Sequence, residues 1–536
     1  MTRTTATAAL LFGIAIAGAT MTATAASPVT PASAEVQAQA REIYRTIIGF
    51  ETVAGKGQVP VMARYLAEKF RSAGFPSEDI HILPLGETAS LIVCYAGDGT
   101  GGKPILLLAH MDVVVAKRED WTRDPFTLVE ENGYFFGRGT SDIKGDIALI
   151  AATFLRLKDE GFVPNRDLII AFSGDEETDM ATTRSLVGEH RELLRDPEFA
   201  LNADGGVGVL DEATGEAAVY YVQGAEKVYA TYELTVRNPG GHSSEPRLDN
   251  AIYKLADALK AAQAYRFPVM WNDWTIGSFR AAADVTRGSL GDAMKRFAAD
   301  PSDEAAANVL YENPSYVGLT RTTCIPTRLT AGHADNALPQ SATATMNCRI
   351  FPGVGFESVR AALASVVGEG VEVRLIDEGV PSDASPMRKD VMAAVATAVH
   401  ASYPGTPIVP QMAAYATDGS VFRGHGIATY GVSGIFLKDS ESFSHGLNER
   451  VPVKGFMHGL THWYVLIKEL ARDEGSLHSS QVATDDVHDV SHVIKSEDSR
   501  HARRSSSSIV FGQSSLSRRA NERSESKRPP VWQRGQ

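Results

Sequence analysis

The stretch from Ile105 to Val113 (Ile-Leu-Leu-Leu-Ala-His-Met-Asp-Val) constrains the fold more than any other. A run of bulky aliphatics too short for a helix reads as a buried strand. It ends on His110 and Asp112, and residues two apart in extended chain point to the same side. Imidazole is the commonest metal-binding side chain, and its second ring nitrogen usually donates to a carboxylate that fixes the tautomer. Asp112 suits that task. His-x-Asp is also an ordinary strand-edge pair, so its weight depends on what the rest of the chain brings to the same place.

The surrounding pattern alternates. Residues 34–50 and 59–73 read as helices, the second with Met62, Leu66 and Phe70 on one face and Gly74 as its stop. Strands follow over 90–96 and 104–110. Residues 141–160 form a helix in which Ile147, Ile150, Phe154 and Leu157 recur at helical spacing, and 167–173 is another strand. This order predicts an α/β fold, a mainly parallel sheet with helices on both faces. Near residue 219 the texture changes. Lys227 to Arg237 alternates apolar and polar, a helix follows at 249–264, and then comes a long aromatic and helical stretch. Strands over 324–331 and 341–350, a helix over 355–367 and a strand over 371–376 complete a split βαβ order, that of a ferredoxin-like α+β module. It reads as an insertion, because α/β character resumes at 389–402 and runs to about 472.

The chain has 536 residues, and 52 basic against 65 acidic side chains leave −13 at neutral pH, which disfavours a nucleic-acid partner. Arg3, the apolar stretch Ala8 to Ala19 and the Ala23-Thr24-Ala25 signal predict a signal peptide over 1–25 and a secreted or periplasmic protein. The apolar run is shorter than the roughly 20 residues a membrane span needs. Cys94 sits in an apolar run and reads as a buried thiol. Cys324 and Cys348 flank a hairpin-like pair of strands, and the sequence leaves open whether they are bonded. From Ser476 the composition turns polar and Ser-rich, as in a disordered tail. The domain plan is therefore a signal peptide at 1–25, a catalytic domain over 26–218 and 379–475, a lid over 219–378, and a tail over 476–536.

Four further segments carry ionisable groups. Gly137 to Gly145 contains Asp142 at the mouth of a helix, where a carboxylate read alone is more often just a cap. Ser173 to Thr178 closes a strand with Asp175, Glu176 and Glu177, three successive acids that repel one another without a cation. Adjacent side chains diverge, so one can hold a metal while its neighbour faces a water, the division that metal-assisted hydrolysis requires. Asp204 follows a short apolar segment, and His445 lies in the loop Phe443 to Arg450. Two imidazoles and several carboxylates at strand ends suit zinc, with manganese or cobalt as substitutes.

With these five motifs in this order, the chain over 36–472 resembles the co-catalytic di-zinc exopeptidases and deacylases that include glutamate carboxypeptidase, aminoacylase, acetylornithine deacetylase and carnosinase. The resemblance implies two zinc ions per subunit. His110, Asp204 and a bridging Asp142 would hold one, and Glu177, His445 and the same Asp142 the other. Glu176 matches the general base and Asp112 the carboxylate behind His110. The lid's Gly240-Gly241-His242-Ser243-Ser244 resembles the segment whose His polarises the scissile carbonyl, often in the partner subunit's site, which implies a homodimer through the lid. Asn336 and Arg349 match positions that help hold substrate. The lid exceeds the smallest of the family by residues 265–320, read here as its enlargement. The implied reaction is zinc-dependent hydrolysis of an amide bond in peptides or dipeptides. The alternative is an N-acyl-amino-acid amidohydrolase, and, from another class, a non-catalytic binding protein on the same fold. The latter requires damaged metal positions, and none is damaged.

Overall fold

The computed structural model describes residues 31–472, so the expected signal peptide and the 476–536 tail lie outside the described residues. The larger of its two main sheets has ten strands. At its centre Ile105–His110 runs parallel to Leu168–Ser173 on one side and to Phe199–Asn202 on the other, and Thr429–Gly431 continues the parallel run. Antiparallel pairings extend the sheet on both sides, through Thr88–Tyr95 and Ile80–Leu85 on one and Ala217–Glu226 and Val207–Leu210 on the other. There Phe436–Lys438, parallel to Val207–Leu210, forms the last strand.

Alternation along the central strand explains why it is apolar throughout. Ile105, Leu107 and Ala109 face a core shared with the helices Ala34–Ile48, Val59–Ser72, Lys144–Asp159 and Val453–Leu470. Leu106 and Leu108 face a second core closed by Leu186, Val187, Val421 and Phe422. A strand covered on both faces has no polar side to show. The register also fixes the site: His110 stands opposite Ser173 and Leu108 opposite Asn202. Three parallel strands therefore end together, and the loops that follow them share one edge, where open α/β sheets bind ligands.

The smaller domain is a four-stranded antiparallel sheet, ordered Thr323–Ala331, Ser341–Ile350, Val228–Arg237 and Val371–Glu378. The helices Ala251–Ala264 and Phe356–Val367 cover one face through Leu255, Val359 and Leu363, packed on Tyr232 and Leu234. Cys324 and Cys348 stand opposite each other in register and form a disulfide, which settles the pairing the sequence left open. Cys94 is a buried free thiol.

Two features differ from the sequence reading. The chain passes into the small sheet at the buried Lys227, because Ala217–Glu226 is still a strand of the large one. Residues 265–320 do not enlarge the lid. Their helices Asp273–Val285, Ser289–Ala299 and Glu304–Tyr311 bury Trp274, Phe279, Met294, Phe297 and Leu310 in the core of the large domain. Trp274 donates its indole N–H to the Ser385 carbonyl at 2.7 Å and lies over Gly224, where any side chain would collide with its ring. An aromatic and helical composition predicts buried helices, but it does not say which sheet receives them.

Candidate metal centre

The site assembles at the shared edge of the parallel strands. His110 is buried, and its Nε2 lies 3.0 Å from Asp142 Oδ1 and 3.9 Å from Asp204 Oδ2. The other oxygen of Asp142, Oδ2, lies 3.2 Å from His445 Nε2, which is also 2.9 Å from Glu177 Oε2. One carboxylate thus faces two imidazoles contributed by segments some three hundred residues apart. Asp142 is not a helix cap: the helix starts at Lys144, and its cap position is Ile143.

The acidic triplet divides its work. Asp175 turns inward and accepts the backbone N–H of Ala181 at 2.8 Å and of Thr182 at 3.0 Å, closing the loop. That leaves Glu176 and Glu177 at the site, where their backbone N–H groups donate to Asp112 Oδ1 and Oδ2 at 3.1 and 3.0 Å. The Asp112 carboxylate therefore orients the acidic loop as well as standing behind His110. His110 Nδ1 is 3.1 Å from the Asp112 backbone carbonyl and 3.4 Å from its Oδ1. His445 adopts φ +62°, a left-handed conformation that costs a non-glycine residue about 1 kcal/mol and is held only where the surroundings demand it.

The electrostatics are those of a site with too many acids. Burial first, then the carboxylates of Asp204, Asp418 and Glu177, push Glu176 well above the usual carboxylate range, against the pull of His110. Burial, together with Asp142, Glu177 and Asp418, does the same to Asp204. Burial would raise Asp142 too, but hydrogen bonds to His110 and His445 outweigh it and hold it low. His445 is pushed up to about 10 by Asp142 and Glu177, while burial opposes the shift. Burial alone would depress His110, yet Asp112 and Asp142 carry it well above its ordinary value.

The donor set fits divalent ions. Ligand atoms of His110, Asp142 and Glu177 lie within 4.8 Å of one another, as do those of His110, Glu176 and Asp204. Imidazole with carboxylate is the mixture that zinc and similar ions accept. Glu176 thus stands among the ligand atoms as well as at the position expected of a base.

Among the described residues, the small domain contributes no hydrogen bond or ion pair to this cluster. His242 is exposed, its Nδ1 2.8 Å from Ser244 Oγ, and it pairs with Ala337 in a two-residue ladder. The Asn336 carbonyl accepts the Ser243 N–H at 3.0 Å, so Asn336 and His242 are neighbours. The guanidinium of Arg349 lies 5.7 Å from the Tyr229 ring centroid, and it has no ion pair among the described residues.

Two buried acids escaped the sequence reading. Asp418 accepts the hydroxyls of Ser173 and of Thr183, the latter at 2.6 Å, below the His110 strand. Glu449, fully buried four residues after His445, takes up the backbone of the Asp142 loop. Their segments are polar loops in sequence, where acids are ordinary, and only the tertiary pairing marks them.

The profile of peptidase family M20/M25/M40 matches residues 106–469. The chain belongs to this family. This M20 protein is similar to the "N-fatty-acyl-amino acid synthase/hydrolase PM20D1" of Xenopus tropicalis, 29% identical over 354 residues that cover 65% of this chain and 69% of that one. It is also similar to the "Probable carboxypeptidase S-like 2" of Dictyostelium discoideum, 26% identical over 388 residues covering 71% and 74%. Among solved structures, the M20 family metallo-carboxypeptidase Sso-CP2 from Sulfolobus solfataricus has a TM-score of 0.60 at 16% identity, covering 81% of this chain and 99% of that one. Human carnosine dipeptidase 1 has a TM-score of 0.57 at 13% identity, covering 82% and 99%. The M20 chain is thus an enzyme of the metallopeptidase and amidohydrolase class, as the five motifs implied.

Proposed function

We propose that this M20 enzyme is a secreted or periplasmic zinc exopeptidase that cleaves the amide bond of short peptides or dipeptides bearing a free carboxylate. The observation that carries the reading is Asp142, whose two oxygens face His110 and His445 within a ring of half-buried carboxylates. His110, Asp204 and Asp142 would hold one zinc, and Glu177, His445 and Asp142 the other. When bound, the two ions supply the Lewis acidity that makes water nucleophilic at neutral pH and disperses negative charge.

The chain's own residues do the rest. Asp112 fixes the backbone of Glu176 and Glu177, so the two neighbouring carboxylates hold separate directions. Glu176 takes a proton from the attacking water as its oxygen adds to the carbonyl carbon. It then returns that proton to the amine nitrogen as the C–N bond breaks. His242 would donate to the carbonyl oxygen as charge develops there. Its exposed position, away from the cluster, favours delivery by closure of the small domain or from a second copy of the chain in a homodimer. Asn336, beside His242, and Arg349, a cation without an acidic partner among the described residues, suit the substrate's polar groups.

A second reading is an N-acyl-amino-acid amidohydrolase, with the same chemistry and an acyl group in place of the N-terminal residue. It is favoured by the relatives named as N-fatty-acyl-amino acid synthase/hydrolases, among them the Xenopus one. A panel of dipeptides and N-acyl amino acids, run with zinc and with a chelator, separates the two. Glu176→Gln should lower turnover on the preferred substrate by about 10²–10⁴ while metal content stays constant. Near wild-type turnover by that variant would overturn the mechanism.

A further inference from the structure

A buried carboxylate, Glu449, is hydrogen-bonded to the loop that carries Asp142. Glu449 is fully buried and gathers five donors. Its Oε2 accepts from Arg138 Nη1 at 2.6 Å and from the Gly139 N–H at 3.0 Å. Its Oε1 accepts from the Ser141 N–H at 2.8 Å, the Ser141 hydroxyl at 3.0 Å and the Asp142 N–H at 3.1 Å. Residues 139–142 thus wrap an anion with their backbone donors, as a nest does. Gly139 makes the wrap possible with φ +84°, in a position where a Cβ would stand 2.8 Å from Val113.

The same residues fasten the other side. Glu449 follows His445 by four residues, and its backbone carbonyl accepts the Gly137 N–H at 3.1 Å. Arg138 spans both segments, since its Nη2 donates to the Gly446 carbonyl at 3.1 Å. The loop ending in Asp142 and the loop carrying His445 are thereby one hydrogen-bonded unit, although they are far apart in sequence. A buried ion pair is a poor source of stability, because an apolar pair of similar volume usually does as well. What it does provide is a fixed geometry, and here the fixed atoms adjoin the carboxylate shared by both proposed ion sites.

The geometry points to Glu449 as a positioning residue for the metal centre, one that sets the Asp142 and His445 loops in a common frame so that both ions are held or lost together. This rests on the reading of Asp142 as the bridge.

The test is titration of the metal-free full chain with Zn²⁺ alone, followed by calorimetry, for the wild type, Glu449→Gln and Glu449→Asp. Glu449→Gln turns one acceptor into a donor that faces N–H groups. Glu449→Asp keeps the charge opposite Arg138 but withdraws it by one methylene. The double variant Arg138→Met with Glu449→Gln leaves no uncompensated buried charge and guards against misfolding. Near-ultraviolet circular dichroism and the Tm of the metal-free proteins report folding. We expect each folded variant to bind both ions about 10–100-fold more weakly. A purely structural role would lower the Tm of the metal-free chain and leave Zn²⁺ affinity unchanged, and that result overturns the inference. So does weakening confined to one ion. A wild type that binds fewer than two equivalents of Zn²⁺ instead defeats the underlying two-ion reading, whatever the variants do.

Discussion

The large and small domains hold their candidate residues in opposite ways. In the large domain, five separate segments converge until imidazole and carboxylate atoms stand 2.9–3.9 Å apart, mostly out of solvent. In the small domain, His242 is exposed, bonded to its own loop and paired with Ala337, and no hydrogen bond or ion pair joins His242, Asn336 or Arg349 to the cluster among the described residues. The first arrangement is what ion binding requires, since ligands must be fixed before the ion arrives. The second suits groups that meet only the substrate. The proposed metal ligands and the proposed substrate contacts should therefore fail differently when altered.

The largest effect is expected from Asp142→Ala, which removes the carboxylate facing both imidazoles. Zinc content should fall from two ions to none and activity with it, by elemental analysis beside turnover on the preferred dipeptide. Retention of one tightly held ion would break the bridging assignment. His242→Ala should cut kcat by about 10²–10³ with zinc content and Tm unchanged, as expected of the side chain proposed to stabilise charge only as the reaction proceeds. A drop in zinc content would erase the contrast between the domains. Replacing Cys324 and Cys348 by Ser opens a cross-link with a sequence separation of 24 and should cost roughly 3 kcal/mol, read by chemical denaturation, without altering metal affinity.

The smallest effect concerns pH. In the metal-free protein His445 is raised to about 10 by Asp142 and Glu177, so its protonated form stabilises the fold. That stabilisation is complete below about 6.5, the unfolded value, and is lost as pH rises through about 10. The Tm difference between wild type and His445→Ala, measured in chelator, should shrink over that interval. A difference that grows with pH would reverse the assigned sign.

Much of this was legible in the sequence, for particular reasons. The central strands are apolar on both faces, and each ends on or is followed within three residues by an ionisable group, so the strands and the candidate residues His110, Glu176 and Asp204 were legible together. Asp142 was ambiguous in sequence because caps and metal-site acids use the same residue, and only the helix start at Lys144 separates them. Glu449 and Asp418 were silent. A buried acid is recognised by the donors around it, and those donors are backbone groups and hydroxyls from distant segments. The stretch over 273–311 read as aromatic and helical, yet such a composition carries no address for the surface its helices meet.

That address has a practical consequence. The polypeptide leaves the large domain at Lys227, returns by Asp273, departs again before Thr323 and comes home after Glu378, so four covalent joints link the two bodies. Cutting out 219–378 in one piece would strip Trp274 and Phe279 from the larger core and expose the sheet edge they cover. An excision in two pieces, one on each side of the helical excursion, follows the grain of the molecule and spares that edge.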